Sequence, residues 1–549
     1  MATSRSERVP SSLHKDEGRR AGRATGSEPP FRRVLVANRG EIAVRIIRAC
    51  HELGIEAVAV YSDPDAEAAH VRMADAAVRL GSAAPSESYL SIERIVDAAR
   101  ATGAEAIHPG YGFLAERATF ARAVQDAGIT FIGPDADTIE ALGDKLHARR
   151  LAASIGVPSV PGTLDPAPID RADQLAGIVA TAEALGFPLL VKAAAGGGGR
   201  GMRRVTRVED LPAALVSGSG EASSAFGDGS VYLEREILPA RHVEVQLLAD
   251  AHGTVVALGE RDCSLQRRHQ KLVEEAPAPD LTGAQRRELH ELAVRLGQAA
   301  ALRNAATCEF LLDPEGRFWF LEVNTRLQVE HGVTELVSGI DIVRQQLLIA
   351  AGHPLGPDVL AAATLAATPS THAIEVRIAA EDPSRAFAPT PGRVGRWRMP
   401  SGPGVRIDTA IESGDRIPPD YDNLIAKVMV HAGDRDAAID RLGRALRETE
   451  IGGVQTTLPF HSFVATSDAF RSAELSTGWV EEHWDGEAAR NRAASLALLA
   501  GGLVALDGDA TRTPAPTWTG IAPDSGPRST DGNGWRAAGR SRGADRWPG

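Results

Sequence analysis

The feature that most constrains this chain comes just after residue 30. Val34-Leu35-Val36-Ala37 is a short apolar run, and Asn38-Arg39-Gly40 carries turn chemistry. From Glu41 to Leu53 the residues Ile42, Ile46, Ile47, Cys50 and Leu53 recur at helical spacing. A second apolar run, Ala57–Tyr61, follows at once. Strand, helix and strand with such short connections close as a right-handed parallel unit. The alternation continues through a helix at Ile92–Ala101 and strands at Ala106-Ile107 and Ile129–Ile132. Residues 31–145 are therefore expected to form a doubly wound α/β domain. Its turn glycines Gly40, Gly110 and Gly112 make no GxGxxG fingerprint, so a dinucleotide site is not supported. His108 ends a strand at the edge where parallel sheets meet ligands. It serves equally well as a satisfied structural histidine.

Residues 146–236 are expected to form a compact α+β segment around the glycine run 196–199. Over 237–482, longer strands (His242–Leu248, Val255–Glu260, Phe318–Val323, His372–Ala379) alternate with helices. The stretch 483–549 begins helical and turns to low complexity. Residues 1–30 lack an apolar signal core and read as a disordered tail. A length of 549 residues accommodates about three to four domains. The net charge of -12 repels nucleic acid and anionic membranes, so an anionic substrate needs a local basic cluster. Cys50, Cys263 and Cys308 lie far apart, outside disulfide-framework or zinc spacing, and a reducing, cytoplasmic setting is expected. No stretch has the apolar length to span a bilayer.

The densest chemistry lies between residues 190 and 331. Leu190-Val191-Lys192 runs into Ala195-Gly196-Gly197-Gly198-Gly199-Arg200-Gly201-Met202. Successive glycines let backbone N–H groups close over phosphate oxygens, and Lys192 and Arg200 supply charge. No Gly-Lys-Ser/Thr follows, so this is not a Walker A loop. A flexible linker is the alternative. The run sits between the strand carrying Lys192 and one expected over Arg203–Val208, which points to a phosphate-covering hairpin loop. Farther on, Glu322, Asn324, Arg326, Gln328 and Glu330 fall on alternate residues, which share a face in an extended segment. Glu309, in Cys308-Glu309-Phe310, flanks another apolar strand. Glu309 and Glu322 together offer Mg²⁺ the hard oxygen ligands it takes beside nucleotide phosphates. Arg326 suits an oxyanion and Glu330 a general base. The plainer reading is a solvated strand face. A third cluster, Glu260–Lys271, is basic in an acidic chain and asks for an anionic partner, or else is a charged surface turn. Cys263 within it has no base at a fixed spacing, which favours a neutral thiol over a nucleophile.

Together these segments resemble the biotin carboxylase family of the ATP-grasp superfamily, from about Arg33 to Trp484. They are joined, in the family's order, by Val36–Ala43, His108–Glu116, Phe131–Pro134, Arg241–Glu244, Glu274–Pro279 and Tyr421-Asp422. Arg267–Lys271 and Asn324–His331 narrow the superfamily to biotin-dependent carboxylation. The resemblance implies an α/β and α+β fold: an N-terminal doubly wound pre-ATP-grasp domain over 31–145, an ATP-grasp lid subdomain over 146–236, and the rest of the ATP-grasp with a C-terminal biotin carboxylase domain over 237–482. It implies an ATP-dependent ligase that carboxylates biotin with bicarbonate through carboxyphosphate, as the biotin carboxylase component of an acyl-CoA carboxylase in fatty acid metabolism. By the same resemblance Lys145 and Lys192 contact the ATP phosphates beneath Gly197, Gly198 and Gly199. Glu234 lies on the hinge against adenine, and His242, Gln266 and His269 contact ribose or phosphate. Glu309, Glu322 and Asn324 hold Mg²⁺ or Mn²⁺, as two ions. Bicarbonate sits among Lys271, Arg326, Gln328, the Val329 backbone and Glu330, Tyr111 joins the bicarbonate and biotin contacts, and Arg377 steadies the biotin enolate. The implied partners are a biotin carboxyl carrier protein or domain in trans, a carboxyltransferase subunit and a second copy in a homodimer. Neither nucleic acid nor membrane is among them.

Three departures from the family pattern stand out. Ala194-Ala195 replaces a small residue followed by glycine, which is expected to stiffen the start of the lid. Gly332 replaces the proline that usually follows Glu-His, which is expected to loosen the turn beside Glu330. No Met-Lys-Met carrier motif occurs, and Lys427, in Ala426-Lys427-Val428, is not a biotin attachment site. The carrier is thus expected on another chain; larger relatives continue into carrier domains about where this tail becomes low in complexity. A non-catalytic relative would lack Lys192, Glu309, Glu322, Arg326 or Glu330, and all five are present.

Overall fold

The computed structural model describes residues 29–167, 172–194 and 202–510. Gly197, Gly198 and Gly199 of the expected lid, and residues 1–28 and 511–549 of the terminal tails, lie outside the described residues. At the N-terminal end the strands 76–81, 56–62, 33–36, 106–108 and 130–131 form one parallel sheet in that spatial order. Helix Gly40–Glu52 buries Ile42, Ile46, Ile47 and Cys50, the side its spacing marked as apolar.

The chain leaves strand 33–36 toward one side of the sheet and returns on the other, so its carboxyl end is a topological switch point. Asn38 closes it by donating from Nδ2 to the carbonyls of Pro109 and Tyr111, each at 2.7 Å. Gly110 has φ +64°, and a Cβ there would lie 2.8 Å from Asn38 Nδ2, so only glycine fits the approach. His108 is wholly buried, and its Nδ1 accepts from the Gly110 N–H at 3.1 Å. Its other ring nitrogen, Nε2, is buried without a hydrogen-bond partner among the described residues, so the histidine is satisfied on one side only.

The second sheet is antiparallel and has eight strands, in the order 318–324, 304–312, 241–249, 255–267, 270–276, 372–379, 424–432 and 405–409. It runs unbroken from the region around Glu309 to the region around Arg377. Strands 255–267 and 270–276 meet at a two-residue turn, Arg268-His269, both with positive φ (49° and 64°). That is the geometry a tight hairpin requires, and glycine or asparagine usually supplies it.

A third sheet of three strands, 203–205, 189–193 and 231–235, carries Lys192 and Glu234. The strand expected over Arg203–Val208 stops at Val205 and is followed by a short helical turn at Val208–Asp210. By itself, the helix Gly486–Ala510 exposes Leu496, Leu498, Leu499 and Leu503. Among the described residues no helix is long and apolar enough to cross a membrane.

Burial lowers three histidines from 6.5: His70 to about 4, His108 to about 3 and His461 to about 4. Unfolded histidines take up protons near 6.5 and the folded ones resist until about 4 or below, so the unfolded state binds more protons across that window. Stability present above pH about 6.5 is thus lost as pH falls. The thermal midpoint should decline from pH 7 to pH 5, and less steeply in His461→Gln. An unchanged slope in that variant would contradict the assignment.

Candidate functional site

Strand register assembles the charged groups. Glu322 faces Glu309 across one strand pair, Glu309 faces Glu244 across the next, and Glu244 faces Arg261 across the third. Directly opposed residues point to the same face of a sheet, so three carboxylates and a guanidinium lie in one row. Arg261 is fully buried and donates to Glu244 Oε1 at 2.6 Å, Gln246 Oε1 at 2.9 Å, Thr334 Oγ1 at 2.8 Å and Thr307 Oγ1 at 3.1 Å.

Lys271 is the centre of this arrangement. Its ammonium donates to Glu244 at 2.5 Å, Glu309 at 2.9 Å and Glu330 at 2.7 Å. Arg377 donates to Glu274 at 2.6 Å and to the second oxygen of Glu330 at 2.9 Å. Burial alone would raise the Glu330 pKa, but Lys271, Arg377 and Arg261 outweigh it and hold the carboxyl well below the usual carboxylate range. Glu309 is held low in the same way, with Lys271 and His242 outweighing burial. Burial disfavours the Lys271 ammonium, yet Glu244, Glu309 and Glu330 keep it charged. Glu274 is the exception: burial, with Glu330 adding to it, pushes it up to about 7 against the pull of Arg377.

Glu322, Asn324, Arg326, Gln328 and Glu330 do converge, but not along one extended face. The strand stops at Asn324, residues 325–330 turn, and Glu330 stands at the N-cap position of helix His331–Ser338 with its side chain turned away from the helix N–H groups. Leu327, wholly buried in the core beneath helix Gly40–Glu52, draws the chain inward there. Glu116 holds the turn by accepting from the Thr325 N–H at 3.1 Å and from Arg326 Nε at 2.8 Å. Arg326 Nη1 donates to Gln328 Oε1 at 3.0 Å. The Nε2 of Gln328, in a side chain 4% exposed, has no partner. It is a donor available to an anion beside Arg326 and Lys271.

On the nucleotide side, Lys145 pairs with Glu322 at 2.7 Å. Lys192 is bonded to Glu234, whose other oxygen takes Arg149 at 2.5 Å. His242 Nε2 lies 3.0 Å from Glu309, and Gln266 Nε2 lies 3.4 Å from His242 Nδ1. His269 occupies the positive-φ turn above them. Glu309 faces Glu322 across the strand pair and accepts from Asn324 Nδ2 at 2.9 Å, so the three residues expected to hold Mg²⁺ lie together. At the switch point of the parallel sheet, Tyr111 donates its hydroxyl to Glu41. Cys263 and Cys308 are buried, and burial raises both thiols, so neither is a nucleophile.

Gly332 does not loosen its turn. A Cβ on it would come within 2.3 Å of Met429 Sδ, so the thioether already fills the space a side chain would take. Sequence reasoning assigned no role to Glu244, Arg261, Glu116, Glu274 or Glu41. Glu244 was within reach, because it shares a strand face with His242 two residues earlier.

Two lysines paired with carboxylates, the facing pair Glu309 and Glu322, and a buried ionised carboxylate near an unpartnered amide donor, beside a doubly wound domain, are the arrangement of an ATP-grasp enzyme that activates a small carboxyl group. The family described as "Biotin carboxylase, N-terminal domain" matches residues 30–139, "Carbamoyl-phosphate synthase L chain, ATP binding domain" matches 144–357, and "Biotin carboxylase C-terminal domain" matches 375–482. The chain is 50% identical over 459 residues to the biotin-dependent acyl-coenzyme A carboxylase alpha3 subunit of Mycobacterium leprae, covering 82% of this chain and 75% of that one. It is 47% identical over 461 residues to the biotin carboxylase of Halalkalibacterium halodurans, covering 84% of this chain and all of the other. Among solved structures, the Campylobacter jejuni biotin carboxylase complex with β,γ-ATP aligns with a TM-score of 0.78 at 42% identity, over 82% of this chain and 99% of that one. The biotin carboxylase domain dimer of Hydrogenobacter thermophilus 2-oxoglutarate carboxylase, with MgADP, ADP and bicarbonate, aligns with a TM-score of 0.78 at 45% identity, over 82% of this chain and 98% of that one. The chain belongs to the biotin carboxylase family.

The packing of Met429 into the Gly332 space yields a test. Gly332→Ala should destabilise by about 1–3 kcal/mol through overpacking. Adding Met429→Val should recover much of that loss, a coupling that a double-mutant cycle of thermal unfolding measures. Additive effects would show that the two residues do not share the space.

Proposed function

We propose that this chain carboxylates biotin presented on a separate carrier protein, consuming ATP and bicarbonate, as the biotin carboxylase component of an acyl-CoA carboxylase. The observation that carries the proposal is the buried carboxylate of Glu330. It is shared by Lys271 at 2.7 Å and Arg377 at 2.9 Å, beside the unpartnered amide donor of Gln328. The 50% identity to an acyl-CoA carboxylase subunit supports the choice of holoenzyme, and the dimeric relative supports a homodimer.

In this reading bicarbonate lies against Arg326, Gln328 Nε2, the Val329 backbone and Lys271. Glu330, ionised because three cations hold it so, takes the bicarbonate hydroxyl proton as that oxygen attacks the γ-phosphorus. The bond to the leaving ADP oxygen breaks and carboxyphosphate forms. Lys145 and Lys192 balance charge on the transferring phosphoryl, and Glu234, His242, Gln266 and His269 position the nucleotide. Glu309, Glu322 and Asn324 would hold Mg²⁺, which when bound supplies further neutralisation of the phosphate oxygens. Carboxyphosphate then splits to CO₂ and phosphate, the phosphate takes the proton from biotin N1, and N1 attacks CO₂. Arg377 stabilises the biotin anion, with Tyr111 lining that end of the site. Biotin that enters before phosphoryl transfer draws Arg377 toward it, so Glu330 loses one of its holding cations and its basicity rises toward that of an ordinary carboxylate.

Purified chain with MgATP should release phosphate only when bicarbonate is present, and faster when free biotin is added. Glu330→Gln should lower that rate about 100-fold or more while ADP binding persists. Hydrolysis indifferent to biotin would assign the chain to a different ATP-grasp ligase.

A further inference from the structure

We infer that Lys427, on the strand 424–432 of the C-terminal region, is a positioning residue for the base: its ammonium grips the Val329 carbonyl and so sets the peptide from which Glu330 projects. The inference rests on the reading of Glu330 as the base. Lys427 is fully buried, and burying an ammonium is costly unless its surroundings compensate the lost hydration. Three carboxylates act on it: Glu41, Glu375 and Asp408. A lysine kept only as an ion pair would close on one of them. Instead Glu41 stands 3.4 Å away and Asp408 3.7 Å, while the Val329 carbonyl accepts at 2.7 Å. The shortest contact is thus to a neutral acceptor on the catalytic turn.

Strand register explains the purpose. Lys427 is directly opposite Arg377 in the sheet. These neighbouring cations hold consecutive residues of the turn, Arg377 the Glu330 carboxylate at 2.9 Å and Lys427 the carbonyl just before it. Preceding that carbonyl, His331 Nδ1 donates to Gln328 O at 2.8 Å. Carbonyls 328 and 329 are both tied, so the peptide planes on either side of Val329 cannot rotate freely. The Glu41 carboxylate that flanks Lys427 also accepts from Tyr111, which joins the switch point of the N-terminal sheet to the same clamp. Arg377 is itself anchored through its carbonyl by Thr457 Oγ1 at 2.8 Å and His461 Nε2 at 2.7 Å.

The experiment compares wild type, Lys427→Met and Lys427→Gln in bicarbonate-dependent ATP hydrolysis, with thermal unfolding alongside. Lys427→Met should lower kcat/KM for bicarbonate about 10- to 100-fold, the penalty of a displaced catalytic group, while KM for ATP stays within about twofold. Lys427→Gln, which keeps an N–H donor but no charge, should recover part of that loss. Equal falls in kcat with both KM values unchanged would mean lost folded enzyme and would overturn the inference. So would Met and Gln variants that behave alike, or failure of both to fold. A wild-type chain without bicarbonate-dependent hydrolysis would instead sink the functional reading on which the inference rests.

Discussion

Three buried carboxylates within reach of one ammonium form the constraint on which the remaining site geometry depends. Glu244, Glu309 and Glu330 come from different elements, and each loses its hydration when the sheet closes over it. No single pair could compensate that loss, because the desolvation of two charges commonly exceeds their mutual attraction. Lys271 alone would leave the cluster strongly negative. Arg261 beneath Glu244, Arg377 behind Glu330 and His242 beside Glu309 bring it near balance. The cluster therefore exists only when five strands of the antiparallel sheet, from 304–312 through 372–379, are paired in one register. Catalytic geometry and folded topology are here the same requirement.

Sharing also sets the chemistry. A carboxylate held by three cations is ionised at neutral pH but is a poor proton acceptor. Its reactivity depends on partners that can leave. Arg377 is such a partner, because it already divides its donors between Glu330 and Glu274. Glu274 holds the guanidinium at 2.5 and 2.6 Å, whereas Glu330 holds it at 2.9 Å, so the longer contact is the one to Glu330. A guanidinium seated on one carboxylate can redirect its remaining donor toward a new anion more easily than one locked in a bidentate pair with the base.

Much of this was legible where the pattern is local. The strand–helix–strand start, the helix face of Ile42, Ile46 and Ile47, and the grouping of Glu322 to Glu330 all follow from spacings of a few residues. What stayed hidden depends on pairing between distant segments. The place of Glu244 between Glu309 and Arg261 is a property of strand register, and spacing carries no register across sixty residues. Lys427 showed only as a lysine in an apolar strand, because its target lies 98 residues away. The turn after Asn324 was missed for a different reason. Alternation of polar residues suits a strand, but Leu327 is committed to the N-terminal core, and that burial overrides the local period.

The Arg268-His269 turn shows how such register is enforced. Non-glycine residues at φ 49° and 64° carry strain of order 1–3 kcal/mol each. A longer loop would relieve it, but would free the hairpin to slip. A slip by one residue would send every inward side chain to the opposite face. Gln266 now faces Lys271 across that turn, and the same alignment delivers Lys271 to its three carboxylates. Strain at the turn is tolerable because the charge cluster holds the strands from the other side. The two features act together: the tight turn fixes Lys271 opposite Gln266, and the ion pairs of Lys271 add to the backbone pairing that keeps the hairpin in register.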